Sequence, residues 1–91
     1  MSKQETDQQG LTFPCSYPVK AMVRAGAESR TTVLRTVARH SEFNHRDDVR
    51  VRPSRNGRFE SITVTVQAQS REHLESLYSE LRALDVVVMT L

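Results

Sequence analysis

The stretch "RPSRNGRFESITVTV", residues 52–66, predicts a hairpin at the centre of the fold. Asn56-Gly57 is the strongest short hairpin signal, because a two-residue turn between strands needs positive φ at both positions. After the turn, apolar residues at 62, 64 and 66 alternate with polar ones. Before it, "VRVRP" (49–53) also alternates. Period-2 alternation is typical of a strand with one buried face, so two antiparallel strands are expected around the turn.

Working outward from the hairpin, the period of the apolar residues changes twice on each side. "YPVKAMVR" (17–24) alternates as a strand, and residues 28–40 repeat at helical spacing. Ser70 is a typical helix N-cap before a regular leucine stripe, and "VVVMTL" (86–91) reads as a last strand. The order β-α-β-β-α-β predicts an α+β, ferredoxin-like sandwich: a four-stranded antiparallel sheet of order 4-1-3-2 with both helices on one face.

This layout divides the side chains between a core and an uncovered sheet face. The core is expected to contain Val19, Ala21, Val23, Val33, Leu34, Val37, Val49, Val51, Ile62, Val64, Val66, Leu74, Leu77, Leu81, Val87 and Met89, with Thr36 turned away from it. The uncovered face is expected to show Lys20, Met22, Arg50, Arg52, Phe59, Ser61, Thr63, Thr65, Val86 and Val88. Because no helix covers it, that face is where a binding function on the sheet would lie.

Length and composition predict a small domain outside the membrane. The chain has 91 residues and a formal net charge of +2, and no window approaches the roughly 20 apolar residues of a membrane span. The start, "MSKQETDQQG", lacks the apolar region of a secretory signal, so a cytoplasmic protein is expected. The polar residues 1–11 predict a disordered tail, and residues 12–91 a single domain.

The residues that usually carry chemistry are sparse, which predicts a protein that is not an enzyme and has no cofactor. Cys15 is the only cysteine, so an internal disulfide or a zinc site with several thiolates is excluded. His40, His45 and His73 show no metal-ligand spacing and are expected to be solvated residues. The three glycines are scattered singly and form no phosphate-binding loop.

Four arginines crowd the hairpin, at positions 50, 52, 55 and 58. Guanidinium groups bind phosphate and carboxylate through paired hydrogen bonds, so Arg52, Arg55 and Arg58 are candidate anion contacts. The RNA-recognition sheet shares this topology but stacks bases on two or three aromatic side chains, and here the open face offers only Phe59. The other interpretation is that the arginines keep an edge strand from aggregating.

Three stretches in order resemble one family. "FPCSYPVKAM" (13–22), "RPSRNGRFESITVTV" and "HLESLYSELRALDVVVMTL" (73–91) are similar to the YbeD-like family of small uncharacterised bacterial proteins. The resemblance implies a ferredoxin-like fold close to the regulatory ACT domains and an association with lipoate attachment. ACT domains commonly bind effectors at the turn after the first strand. Here that turn contains Ala25, Gly26 and Ala27, and it lacks the Asp-x-x-Gly pattern of many effector sites.

The predicted function is a regulatory or adaptor module that acts by protein–protein interaction, with a partner protein or a second copy, and is linked to lipoate metabolism. Its expected contact residues are Lys20, Met22, Arg50, Arg52, Phe59, Thr63, Thr65, Val86 and Val88. Two alternatives stay open. The first is an ACT-type sensor of a small effector, and the second is an RNA-binding domain, which ranks last because base-stacking aromatics are missing.

Overall fold

A computed structural model describes residues 5–6 and 10–91, with side chains from residue 10 onward. Its elements are β1 (Glu5–Thr6), β2 (Thr12–Phe13), β3 (Cys15–Arg24), α1 (Ala27–Ala38), β4 (Val49–Pro53), β5 (Phe59–Ala68), α2 (Arg71–Arg82) and β6 (Val87–Thr90). The short strands β1 and β2 pair with each other as an antiparallel ribbon. The predicted tail, residues 1–11, falls largely on the undescribed residues 1–4 and 7–9, and its disorder stays a prediction.

The main sheet has the predicted topology. Its strands follow the order β4-β5-β3-β6, and every neighbouring pair is antiparallel. Numbered along the predicted four strands, this is the order 4-1-3-2. The central strands β3 and β5 pair along ten residues each, from Cys15 opposite Ala68 to Arg24 opposite Phe59. The ferredoxin-like prediction is therefore confirmed, with β4 and β6 as the two edges.

The helices form because apolar side chains recur at helical spacing, and α2 also has a side-chain cap, whereas Gly26 at the start of α1 makes no cap bond. The Ser70 hydroxyl accepts a hydrogen bond from the His73 backbone N–H at 3.0 Å and starts α2. Leu74, Leu77 and Leu81 of α2 are buried, at 1% exposure or less. Neither helix of the described chain is long and apolar enough to cross a membrane.

One face of α1 differs from the predicted one. Thr36 was expected to point away from the core, but it is 1% exposed, whereas Leu34 is only partly buried. The Thr36 hydroxyl donates to the Thr32 carbonyl at 3.0 Å, so its burial leaves no hydroxyl unpaired. The apolar stripe of α1 is thus centred on Val33 and Val37, rotated from the predicted position.

The central hairpin forms, but its turn is not the predicted two-residue type. The strands end at Pro53 and resume at Phe59, and among residues 10–91 no residue other than glycine has positive φ. Gly57 alone in this turn takes the left-handed region, at φ +76°. The Asn56 side-chain oxygen instead accepts from the Arg58 backbone N–H at 3.0 Å. A longer loop with a side-chain bond therefore closes the hairpin.

Both edges of the sheet differ from the predicted core. Val51, on the edge strand β4, is 38% exposed. On β6 the register shifts by one residue, since Met22 pairs with Met89 whereas Val23 pairs with Val87. This β-bulge moves Met89 from the predicted core to the opposite face, where it is 48% exposed.

Val86 and Val88, both predicted on the open face, have different surroundings in the structure. Val86 was expected on the open face, but it is partly buried and packs against the core cluster. Its carbonyl accepts from the Arg24 backbone N–H at 3.3 Å just before β6 begins. Val88, the extra residue of the bulge, is 49% exposed, in agreement with its predicted exposure.

Two of the histidines are structural, contrary to the expectation of solvated residues. The His40 side chain is 12% exposed, and its Nε2 lies 2.5 Å from a carboxylate oxygen of Glu80 on α2. His73 donates from Nε2 to the His40 carbonyl at 2.7 Å, while its Nδ1 accepts from the Gln69 backbone N–H at 3.0 Å. These bonds connect the end of α1 to α2. His45 is exposed, as predicted.

Candidate functional site on the open sheet face

The open face is the side of the main sheet opposite the two helices. Strand register places its side chains in rows, because residues directly opposite each other point to the same face. One row across three strands contains Arg50, Thr63 and Lys20. The next row contains Arg52, Ser61, Met22 and Met89. These two rows form the centre of the candidate site.

Short side chains between long ones form a depression in this surface. Ser61 and Thr63 belong to β5, with arginines on β4 to one side and the longer Lys20 and Met22 on β3 to the other. The depression measures about 250 Å³ and is lined by Lys20, Arg50, Arg52, Ser61 and Thr63. Neighbouring strands lie roughly 5 Å apart, so backbones two strands apart are separated by about 10 Å. Three cations therefore surround two hydroxyl groups.

The charge of this face is uncompensated within the described chain. Lys20, Arg50 and Arg52 make no ion pair with any residue of 10–91. The nearest acidic position of β5, Glu60, belongs to the helix side, where its carboxylate lies 3.3 Å from Arg30 of α1 as an ion pair without a hydrogen bond. A cationic surface with free guanidinium groups favours an anionic partner.

Apolar side chains border the cationic depression at the β6 edge. Met89, Val88 and Leu91 are exposed by 48%, 49% and 57%. The Leu91 backbone N–H donates to the Lys20 carbonyl at 3.0 Å, and its carbonyl accepts from the Tyr78 hydroxyl at 3.3 Å. Burial raises the pKa of Tyr78 to about 12, so this donor stays protonated. The chain end is thereby attached beside the depression.

The remaining predicted contact residues are dispersed. Thr65 lies opposite Pro18 on the open face, next to the row of Thr63. Phe59 lies opposite Arg24 at the far end of β5 and is half-buried. Of the predicted anion contacts, Arg52 lines the depression. Arg55 and Arg58 are exposed in the hairpin turn between β4 and β5.

The predicted effector turn, residues 25–27, connects β3 to α1 and includes the first residue of that helix. Gly26 is the N-cap of α1 with φ +150°, a conformation that side chains other than hydrogen rarely permit. The Ala25 backbone N–H donates to the Arg58 carbonyl at 2.9 Å, which attaches the turn to the central hairpin. Ala25 and Ala27 contribute only methyl groups, so an effector here would be held by backbone groups alone.

Sequence reasoning missed several members of the site. Met89 was assigned to the core, because strict alternation along β6 gives no signal of a bulge. Ser61 was expected on the open face but not as a contact residue, and Leu91 was not considered.

Residues 10–91 hold no group of three acidic, histidine or cysteine side chains that could bind a metal ion, and Cys15 is a partly buried free thiol.

Comparison with known proteins gives consistent matches along nearly the whole chain. Residues 8–91 match the family described as "Protein of unknown function (DUF493)". A UPF0250 protein of Vibrio cholerae is 41% identical over 81 residues, covering 89% of this chain and 86% of that protein. A UPF0250 protein of Hahella chejuensis is 32% identical over 91 residues, covering 100% of both chains.

A solved structure also matches. The solution structure of protein HP0495 from H. pylori aligns with a TM-score of 0.67 and 19% sequence identity, covering 100% of this chain and 98% of that one. At this identity the likeness concerns the fold.

Proposed function

The chain belongs to the DUF493 family, in agreement with the predicted YbeD-like resemblance, and from this premise we propose that it is a non-enzymatic regulatory or adaptor module that binds a partner protein through its open sheet face. The family has no named activity, so the proposal depends on the molecule's own surface. It includes the link to lipoate metabolism that the resemblance implies, and lipoate-attachment enzymes are the first partners to test.

The observation that carries this proposal is the combination of charge and apolar area on one uncovered surface. Three unpaired cations and two hydroxyl groups lie beside Met22 and Met89. Protein interfaces favour methionine and arginine, and Met89 is 48% exposed in a chain with only three methionines. If the cations served only to keep the surface soluble, no exposed methionine would be needed in the row beside them.

The two alternative functions have less support on this face. Recognition of RNA by such a sheet requires two or three aromatic side chains for base stacking. Of the five aromatic residues of the chain, Phe59 alone lies on the open face, because Phe13 is buried and Tyr17, Phe43 and Tyr78 pack against the core. The effector turn offers no polar side chain, as described above.

Affinity capture with matched variants tests the proposal. Tagged wild-type protein is compared with Met89→Glu, which places a charge on the open face, and with Ser76→Glu, which adds the same charge at an exposed position of α2. A partner identified by mass spectrometry is then purified and its affinity for each protein is measured directly by calorimetry. Met89→Glu is expected to weaken binding at least about tenfold, and Ser76→Glu to leave it unchanged.

A result in which every captured protein binds wild type and Met89→Glu with equal affinity would refute binding through this face. Circular dichroism of each variant shows whether the fold is retained. Sedimentation of the purified protein separates self-association from binding of a different protein, because only the former depends on the concentration of this chain alone.

A further inference from the structure

The strand β4 presents an unpaired edge with a regular pattern of side chains. Within the described residues it pairs with β5 alone. Thr65 donates from its backbone N–H to the Asp48 carbonyl at 2.8 Å, and Ser54 donates to the Phe59 carbonyl at 2.8 Å. In an antiparallel ladder these bonds recur at every second residue. Arg50 and Arg52 therefore bond to β5, whereas the backbone N–H and C=O of Val49 and Val51 point outward.

The side chains on this edge alternate between two chemistries. Arg50 and Arg52 point to the open face and line the cationic depression without an acidic partner. Val51 points to the helix side and is 38% exposed, although Ile62 directly opposite it is 1% exposed. Along the edge, the cationic Arg50 and Arg52 therefore flank the apolar Val51, and the backbone groups of Val51 are free to bond to another strand.

We propose that β4 accepts an added strand from a partner protein, and that this strand carries acidic residues opposite Arg50 and Arg52 and apolar residues opposite Val49 and Val51. Strand addition uses main-chain hydrogen bonds for affinity and alternate side chains for specificity. The expected partner motif is therefore acidic–apolar–acidic–apolar. This inference deepens the proposed function, on which it rests, by naming the part of the partner that makes contact.

The charge pattern argues for a different protein over a second copy as the occupant. If two β4 strands paired antiparallel about Val51, Arg50 of one copy would face Arg52 of the other. Like charges directly opposite each other destabilise a strand pair, and cationic edges are a known protection against self-pairing. An acidic strand converts the same positions into attractive pairs. Pro53 lacks a backbone donor and marks the end of the usable edge.

A synthetic peptide provides a direct probe. The acetylated, amidated peptide Gly-Glu-Val-Glu-Val-Gly is titrated into isotope-labelled full-length protein, with Gly-Lys-Val-Lys-Val-Gly as the matched control. We expect a dissociation constant below about 1 mM for the acidic peptide, roughly tenfold weaker binding of the basic one, and backbone NMR shifts concentrated on residues 49–52. The amide protons of Val49 and Val51 should exchange more slowly with solvent when the peptide is bound.

Two variants separate strand addition from general charge attraction. Val51→Pro removes an outward N–H without removing a bond to β5, so the fold is retained and peptide binding should be lost. The double variant Arg50→Glu, Arg52→Glu should reverse the preference and bind the basic peptide. Equal binding of both peptides, shifts away from β4 at up to about 5 mM peptide, or full binding by Val51→Pro would overturn the proposal.

The outcome is distinguishable from failure of the proposed function. If the captured partner protein binds Val51→Pro as tightly as wild type but loses affinity for Met89→Glu, strand addition is wrong and the open face is still the docking surface. If neither variant weakens the partner, both proposals fail.

Discussion

Two valines on the helix side of the sheet should respond very differently to truncation. Val64 of β5 is 1% exposed, whereas Val51 of the neighbouring strand β4 is 38% exposed, although alternation assigns both to the same face. Val64→Ala removes two methyl groups from a packed core. At about 0.8 kcal/mol for each group, plus the cost of the cavity, the free energy of unfolding should fall by about 2–3 kcal/mol. Val51→Ala should cost about 0.5 kcal/mol, because its methyl groups already contact water and leave no closed cavity.

Urea denaturation followed by circular dichroism measures both values, and equal m-values in the variants show that the comparison is valid. In a domain of this size 1 kcal/mol corresponds to roughly 4–8 °C in Tm, so Val64→Ala should melt about 8–24 °C below wild type and Val51→Ala within about 4 °C of it. Similar losses in the two variants would refute the reasoning. They would mean that the helix side of β4 is covered. Val51 would then be unavailable to a partner, and the edge would lack the apolar residue that alternates with Arg50 and Arg52.

Other properties of the molecule are open to equally direct measurement. Gly57→Ala should lower the free energy of unfolding by about 1 kcal/mol, because φ is +76° there although a Cβ would meet no atom within 4 Å; an unchanged urea midpoint would contradict the left-handed assignment. Burial raises the pKa of Tyr78 to about 12, above its unfolded value of 10, so stability should fall as pH rises from 10 to 12. Tyr78→Phe should remove that loss in alkaline denaturation, and a normal tyrosinate titration near 10 would disprove it. Hydrogen bonds from Arg39 and then His40 lower the pKa of Glu80, so its contribution is present above the unfolded value and lost as pH falls through the folded one. The acid denaturation curve of Glu80→Gln should lack that component; identical curves for variant and wild type would count against it.

Much of the fold was predictable because local periodicity and topology agree. The alternation in β3 and β5 and the leucine stripe of α2 each specify one buried face, and short connections leave few ways to combine them. The open face was predictable for the same reason, since residues that alternate with a buried set must lie on the other side of the sheet. Lys20, Met22, Arg50, Arg52 and Thr63 were all placed in this way.

The errors occur where a position depends on contacts with distant parts of the chain. Thr36 is buried because the helix rotates to fit the sheet, and its hydroxyl finds a partner in the preceding turn. His40 and His73 are ordered by Glu80 and by a backbone carbonyl, partners from other segments of the chain. Neither histidine contact has a local sequence signal, since the partners of His40 and His73 are 40 and 33 residues away.

The amino-acid sequence by itself determined the order of the elements, the antiparallel sheet and the two faces of its central strands, because side-chain periodicity is a local property that every segment carries. Tertiary structure alone decided the edges. The bulge at Val88 brought Met89 next to Met22, and incomplete cover by the helices left Val51 exposed beside Arg50. The physical reason is that the register and burial of an edge strand depend on which other segments pack against it, and the local sequence of the strand does not specify those segments.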